Sequence, residues 1–175
     1  MASNLGKTAM SYFEHSKGYL SNPKRALLVG VFQNQPLEYI LEQQKLLDLD
    51  IVQFHGSEPV EWASLIPVPV IKSFSPADHN LGIRGYHAIP LLDSGAGGSG
   101  TQLDLNDIKQ ALKRDPSLRI MLAGGLNANN VRSVLGELGE YSDQVVGVDV
   151  SSGVEVNGEQ SIPMIREFAS AVNSY

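Results

Sequence analysis

The chain contains no cysteine, which excludes disulfides, thiolate metal ligands and a cysteine nucleophile or base from within it. This absence is compatible with a reducing compartment and does not require one. Positive charge is also scarce: 13 Lys and Arg stand against 19 Asp and Glu, a formal net charge of −6. That balance argues against nucleic acid or an anionic membrane as the main partner. An anionic ligand would have to be held by backbone N–H groups, helix N-termini or a few placed cations. The polar lead over residues 1–26 has no apolar run long enough for a signal peptide or a membrane span. A cytoplasmic location is expected, with a short helix over Thr8–Tyr19. There is no short repeat, no low-complexity stretch, no phosphate loop of the GxxxxGK[ST] kind and no His/Asp/Glu spacing that suggests a metal site.

What is present is an ordinary globular composition over 175 residues, 42% apolar and 18% charged, enough for one domain with a core. Residues 27–175 read as a rhythm of strands and helices. Buried strands are expected at Leu27–Phe32, Ile51–Phe54, Val68–Phe74, Ala88–Asp93, Arg119–Ala123 and Val145–Val150, from short, partly β-branched apolar runs. Between them lie helical patterns. Asn34 and Pro36 start a helix with Leu37, Ile40, Leu41 and Leu47 on its apolar face. A short helix over Glu58–Ile66 turns Trp62 and Leu65 inward. Asp104–Arg114 carries Leu105, Ile108, Ala111 and Leu112 on one stripe. Asn127 opens a helix with Val131, Val134, Leu135 and Leu138 inward. Pro163–Val172 puts Ile165, Phe168, Ala169 and Val172 on one face.

Six strands alternating with helices are βαβ repetition and a parallel sheet. An open doubly wound sheet and most of a (β/α)8 barrel both satisfy the pattern. A complete barrel takes about 250 residues, and roughly 200 at the least, so eight units do not fit here.

In such folds ligands sit at the carboxyl ends of strands. The run Pro90–Gly100, PLLDSGAGGSG, ends a strand in Asp93 and continues into a loop with Gly95, Gly97, Gly98 and Gly100. It reads either as a strand cap before a glycine linker or as an acid beside backbone able to close over a small molecule. The fifth strand ends in LAGGLN, where Gly124 and Gly125 precede a helix start and suit a phosphate. A tight strand–helix turn is the plainer alternative. The sixth ends in VDVSSGVE, with Ser151, Ser152 and Gly153 offering open N–H donors and Asp149 inside the strand. In barrels the last two βα loops frequently build the phosphate site, and these are the last two strands here. His55 ends the second strand, with Gln53 two residues earlier on the same face.

In order, GVFQNQP, IVQFHGSE, PVIKSF, PLLDSGAGGSG, MLAGGLNANNV and VVGVDVSSGVE resemble the phosphoribosylanthranilate isomerase family of tryptophan biosynthesis, most of all its fungal form. The resemblance runs from about Leu27 to the C-terminus. It implies a (β/α)8 barrel, here incomplete, with no cofactor and no metal, acting on a phosphorylated small molecule. The implied reaction is an Amadori rearrangement of an aminoaldose to an aminoketose. Asp93 is then the general acid, protonating the furanose ring oxygen. Gly124, Gly125, Ser152 and Gly153 match the family's phosphate loops, with Gly98 and Gly100 in the flexible loop nearby. Asp149, His55 and Gln53 match positions close to the substrate.

The chain departs from the family at the general base, a cysteine on the family's first strand, and at the basic residue that holds the anthranilate carboxylate. The expectation is therefore the last six βα units of the barrel, a poor isomerase alone, with raw sheet edges that pair with a missing N-terminal fragment or a second copy or are covered by the chain's own N-terminal lead. Two other readings compete. One is a different phosphosugar barrel enzyme, such as indole-glycerol-phosphate synthase or ribulose-phosphate epimerase, with Lys72 as the inward lysine. The other is a non-catalytic phosphate-binding remnant.

Overall fold

The computed structural model describes residues 26–93 and 104–175. The lead with the helix expected over Thr8–Tyr19, and the glycine loop with Gly98 and Gly100, lie outside the described residues. The chain forms two compact units: residues up to Ser73 together with Ile83–Pro90, and Phe74–Gly82 together with Leu91–Tyr175.

The first unit starts with strand β1 (Val29–Phe32), helix α1 (Leu37–Leu47) and strand β2 (Ile51–Phe54). A 3₁₀ helix (Val60–Leu65) and strand β3 (Val70–Phe74) follow. β1 and β2 are parallel, with Val29 opposite Ile51 and Phe32 opposite Phe54. β2 and β3 are parallel too, with Val52 opposite Val70 and Phe54 opposite Lys72. The core gathers Phe32, Ile40, Leu49, Val52, Phe54, Ala63, Ile66 and Val70.

Asn34 does not cap α1; Pro36 holds that position, and the Asn34 side chain accepts from the Ser57 N–H at 2.7 Å instead. Leu47 is 53% exposed, because Asp48 turns left-handed (φ 51°) and swings Leu49 inward in its place. The short helix after β2 is of the 3₁₀ kind and spans Val60–Leu65. Its three-residue turn aligns Ala63 and Ile66 on the core side; Trp62 packs against the core as expected, whereas Leu65 is 58% exposed. β1 is not covered on both faces, since Val31 is 60% exposed. Among the described residues β1 pairs with β2 alone.

Strand β4 (Ile89–Leu92) enters the second unit at Leu91, and helix α2 (Leu105–Arg114), strand β5 (Ile120–Leu122), helix α3 (Val131–Leu138) and strand β6 (Val145–Val148) follow. β4–β5 and β5–β6 are parallel, with Leu91 opposite Met121, Leu92 opposite Leu122 and Leu122 opposite Val148. α2 forms as expected: Asp104 accepts from the Asn106 N–H at 2.8 Å and Ile108, Ala111 and Leu112 are buried. Val131, Val134, Leu135 and Leu138 of α3 are buried as expected. Buried Gln144 donates through Nε2 to the Asp115 and Leu118 carbonyls at 3.0 and 3.1 Å, anchoring the chain end of α2 to the start of β6.

β6 is followed by a short hairpin, β7 (Glu155–Val156) and β8 (Glu159–Gln160), that the strand count misses although Asn157-Gly158 announces it. Both turn residues have positive φ, 55° and 82°, as a two-residue hairpin turn requires. Helix α4 (Ile162–Asn173) closes the chain with a rotated apolar face. Met164, Phe168, Ala171 and Val172 pack on the core, while Ile165 and Ala169 face outward. The stripe i, i+4, i+7, i+8 from Met164 is the continuous one.

Candidate active site

In the second unit, three strand ends line up. Leu92, Leu122 and Val148 share a rung, and pairing continues one step further: Ala123 N–H donates to Leu92 O and Asp149 N–H to Leu122 O, both at 2.8 Å. Asp93, Ala123 and Asp149 therefore follow one another across the carboxyl edge of β4, β5 and β6. The Asp93 N–H is held by Phe74 O at 3.1 Å, and the residue is only 7% exposed. Asp149 is half-buried and directly follows β6, which ends at Val148, so it is not inside the strand as expected.

Gly124 and Gly125 follow at once, both with positive φ, 99° and 64°, a backbone conformation that side-chain-bearing residues resist. The turn is stapled by asparagines. Asn130 donates through Nδ2 to Gly125 O at 2.9 Å and accepts from the Asn127 N–H at 2.8 Å. Asn127 Oδ1 in turn accepts from the N–H groups of Asn129 and Asn130 at 2.9 and 3.2 Å, so Asn127 shapes the turn ahead of α3, whereas the helix expected to begin there starts at Val131 with Asn130 at its N-cap. The loop after β6 leans on this one. A Cβ on Gly153 would overlap the Leu126 carbonyl oxygen and lie 3.1 Å from Val150 Cγ2. Gly153 is thus needed for close backbone approach, and the loops carrying Gly124–Gly125 and Ser152–Gly153 are packed against each other.

In the first unit, Gln53 is buried and His55 half-buried at the end of β2, with Gln53 Nε2 and His55 Nδ1 3.5 Å apart. The expected shared face is therefore observed. The His55 N–H donates to Phe32 O at 2.8 Å. Behind it sits a group that pattern reading passes over. Glu58 Oε1 accepts from the Asn34 N–H at 2.6 Å, and Oε2 accepts from the Gly56 N–H at 2.9 Å. Lys72 Nζ lies 3.7 Å from Glu58 Oε2 and donates to Gly56 O at 2.6 Å, the two side chains being 8% and 0% exposed. Lys72 is thereby engaged in holding a loop, which disfavours its reading as the lysine of another barrel enzyme. Gly56 has no room for a side chain: a Cβ would meet Asn34 Oδ1 at 2.6 Å. His87, which has no context in the sequence, is half-buried, and burial together with Arg84 and Lys72 lowers its pKa to about 4. It is uncharged at neutral pH.

Gly98 and Gly100 fall outside the described residues. Among the described residues no helix is long and apolar enough to cross a membrane.

Comparison with known proteins adds the following. A family model described as N-(5'phosphoribosyl)anthranilate (PRA) isomerase matches residues 3–171, reaching into the polar lead as well as the motif-bearing part. The chain is 41% identical over 165 residues to a multifunctional tryptophan biosynthesis protein of Schizosaccharomyces pombe, covering 94% of this chain and 21% of that protein. It is 44% identical over 148 residues to an N-(5'-phosphoribosyl)anthranilate isomerase of Lipomyces starkeyi, covering 84% of this chain and 58% of that one. The chain thus spans less than two thirds of either relative. Among solved structures it resembles a phosphoribosyl anthranilate isomerase in complex with reduced 1-(o-carboxyphenylamino)-1-deoxyribulose 5-phosphate. The TM-score there is 0.66 at 30% identity, over 93% of this chain and 80% of that chain. The likeness gives the fold class as that of the (β/α)8 barrel, with parallel strands alternating with helices.

Proposed function

Because the chain belongs to the N-(5'-phosphoribosyl)anthranilate isomerase family, we propose that it carries the acid and phosphate-binding parts of an isomerase site. The reaction is the rearrangement of N-(5'-phosphoribosyl)anthranilate, an aminoaldose, to the corresponding aminoketose. Asp93 donates a proton to the furanose ring oxygen as the C1–O bond breaks, leaving an open-chain iminium. A base then removes the C2 proton, giving the enol that becomes the ketone. The family's cysteine base has no counterpart in a chain without cysteine, so turnover by this chain alone is slow. The N–H groups around Gly124, Gly125, Ser152 and Gly153 hold the 5'-phosphate, aided by the N-terminal end of α3. In the second unit Asp149 is assigned a contact to the rest of the substrate, and in the first unit Gln53 and His55 are assigned substrate contacts on their resemblance to the family's positions. The segment that supplies the base, as preceding sequence or as a separate chain, is the partner this reading requires.

The observation that carries the proposal is the row of strand ends. A buried carboxylate, Asp93, stands on the same rung as the residue entering a double-glycine turn. The test is titration of the full chain with the reduced deoxyribulose phosphate found in the solved relative. Saturable binding that shifts the amide resonances of Gly124, Gly125, Ser152 and Gly153 is expected. Binding that leaves those amides unmoved would remove the phosphate assignment.

A further inference from the structure

The cluster behind His55 is a buried ion pair that the reaction does not consume. Glu58 has two carboxylate oxygens, and each accepts a backbone N–H from a different strand end: Asn34 after β1 and Gly56 after β2. Lys72, from β3, neutralises that carboxylate and grips the other side of the same peptide unit through Gly56 O. The Gly56 N–H and C=O are thus both fixed by side chains, and the missing Cβ lets Asn34 close in from above. His55 precedes this locked residue directly, and its own N–H is fixed on Phe32 O. The backbone on both sides of His55 is therefore pinned. Taking two charges out of water is costly, and an apolar pair would fill the same space more cheaply. What a carboxylate provides here, and an apolar group cannot, is acceptors for two loop amides.

We propose that Glu58, seated on Lys72, is the positioning residue that fixes the His55–Gly56 corner and so sets how the His55 imidazole is presented to substrate. The inference rests on the reading of His55 as a substrate contact and adds to it the group that holds it there. Glu58 touches no reacting atom; it acts through the peptide it binds. In Glu58→Gln, the amide keeps one acceptor and turns an NH₂ group towards the second backbone N–H, so one of the two loops must let go.

The experiment uses the full chain, unmodified and as Glu58→Gln. The His55 ring resonances are read without ligand, and affinities are read for the reduced deoxyribulose phosphate and for inorganic phosphate. The expected result has three parts: the His55 ring resonances move, affinity for the reduced analogue falls roughly 10- to 100-fold as for a misplaced contact, and affinity for inorganic phosphate stays that of the unmodified chain. A parallel fall for both probes would mean general loosening and would overturn the proposal. So would unmoved His55 resonances with unchanged affinities. If the unmodified chain prefers the analogue no more than phosphate, the substrate-contact reading of His55 fails, and the resonances alone decide the positioning claim. Should Glu58→Gln fail to fold, Glu58→Gln/Lys72→Met, which leaves no buried charge, is measured the same way with the same expectations.

Discussion

Asp93→Asn is expected to lower isomerase turnover about 10²- to 10⁴-fold, the usual contribution of a placed general acid. The asparagine has nearly the same shape, and its amide still hydrogen-bonds a ring oxygen, so substrate binding is largely kept. What is lost is the transferable proton: the C1–O bond must then break to leave an alkoxide. At about 1.4 kcal/mol per decade this is roughly 3–5 kcal/mol of barrier, large against any packing change from an isosteric substitution. The backbone anchor of Asp93 does not involve its side chain, because Phe74 O holds its N–H. The fold at the end of β4 is therefore retained. The measurement is kcat and KM under conditions where the unmodified site turns over. A fall in kcat with little change in KM is expected, and an unchanged kcat would remove Asp93 from the reaction.

The second large effect is on stability. Lys72→Met is expected to destabilise the chain by about 3–5 kcal/mol, the cost of leaving a buried carboxylate without its counter-charge. The pair is well shielded, at 8% and 0% side-chain exposure, so solvent screening does little to reduce this figure. Two backbone N–H groups remain on Glu58 and soften the loss without neutralising the charge. Methionine preserves most of the aliphatic stem, so the change reports the missing ammonium more than a cavity. Urea unfolding monitored by Trp62 fluorescence measures it. Adding Glu58→Gln to Lys72→Met is expected to recover much of the loss, because no buried charge then remains. A double variant as unstable as the sum of the single ones would show that the pair's charges do not interact in the way its geometry implies.

Much of the fold is legible in the sequence because parallel strands announce themselves. A strand covered by neighbours reads as an unbroken apolar run, and IPLL and IML sit where such runs predict. The strand-end loops are legible for a different reason. Adjacent glycines with positive φ cannot be replaced without strain, so Gly124-Gly125 marks a special turn in letters alone. Helix faces are less secure. α4 packs Met164 and Ala171 in place of the expected Ile165 and Ala169, because tertiary packing, not the local pattern alone, chooses the buried face. Val31 shows the limit of run-based reading: its residue type fits a covered strand, yet it is 60% exposed.

The candidate site is legible in part. Asp93, Asp149, Gln53 and His55 are strand-end residues whose register follows from chain pattern. Glu58 and Lys72 are not visible in this way. They are 14 positions apart in the chain and meet only because β3 lies beside β2 with Lys72 opposite Phe54. Glu58 in particular reads as the first turn of a helix, where an acid is expected on any surface helix. Its burial is a tertiary fact. The contact of Gly153 with Leu126 is of the same kind, since a glycine in SSGVE gives no sign of which backbone comes close.

As proposed, this chain holds the acid and phosphate-binding parts of an isomerase site and has no cysteine to serve as the base. The most direct measurement is turnover of N-(5'-phosphoribosyl)anthranilate generated in situ, by the full chain alone and mixed with a polypeptide carrying the first two βα units of an isomerase of the family. The account predicts slow turnover alone and clear turnover on mixing, lost again with Asp93→Asn. Rapid turnover by the chain alone would contradict the missing base, and silence in the mixture would contradict the site itself.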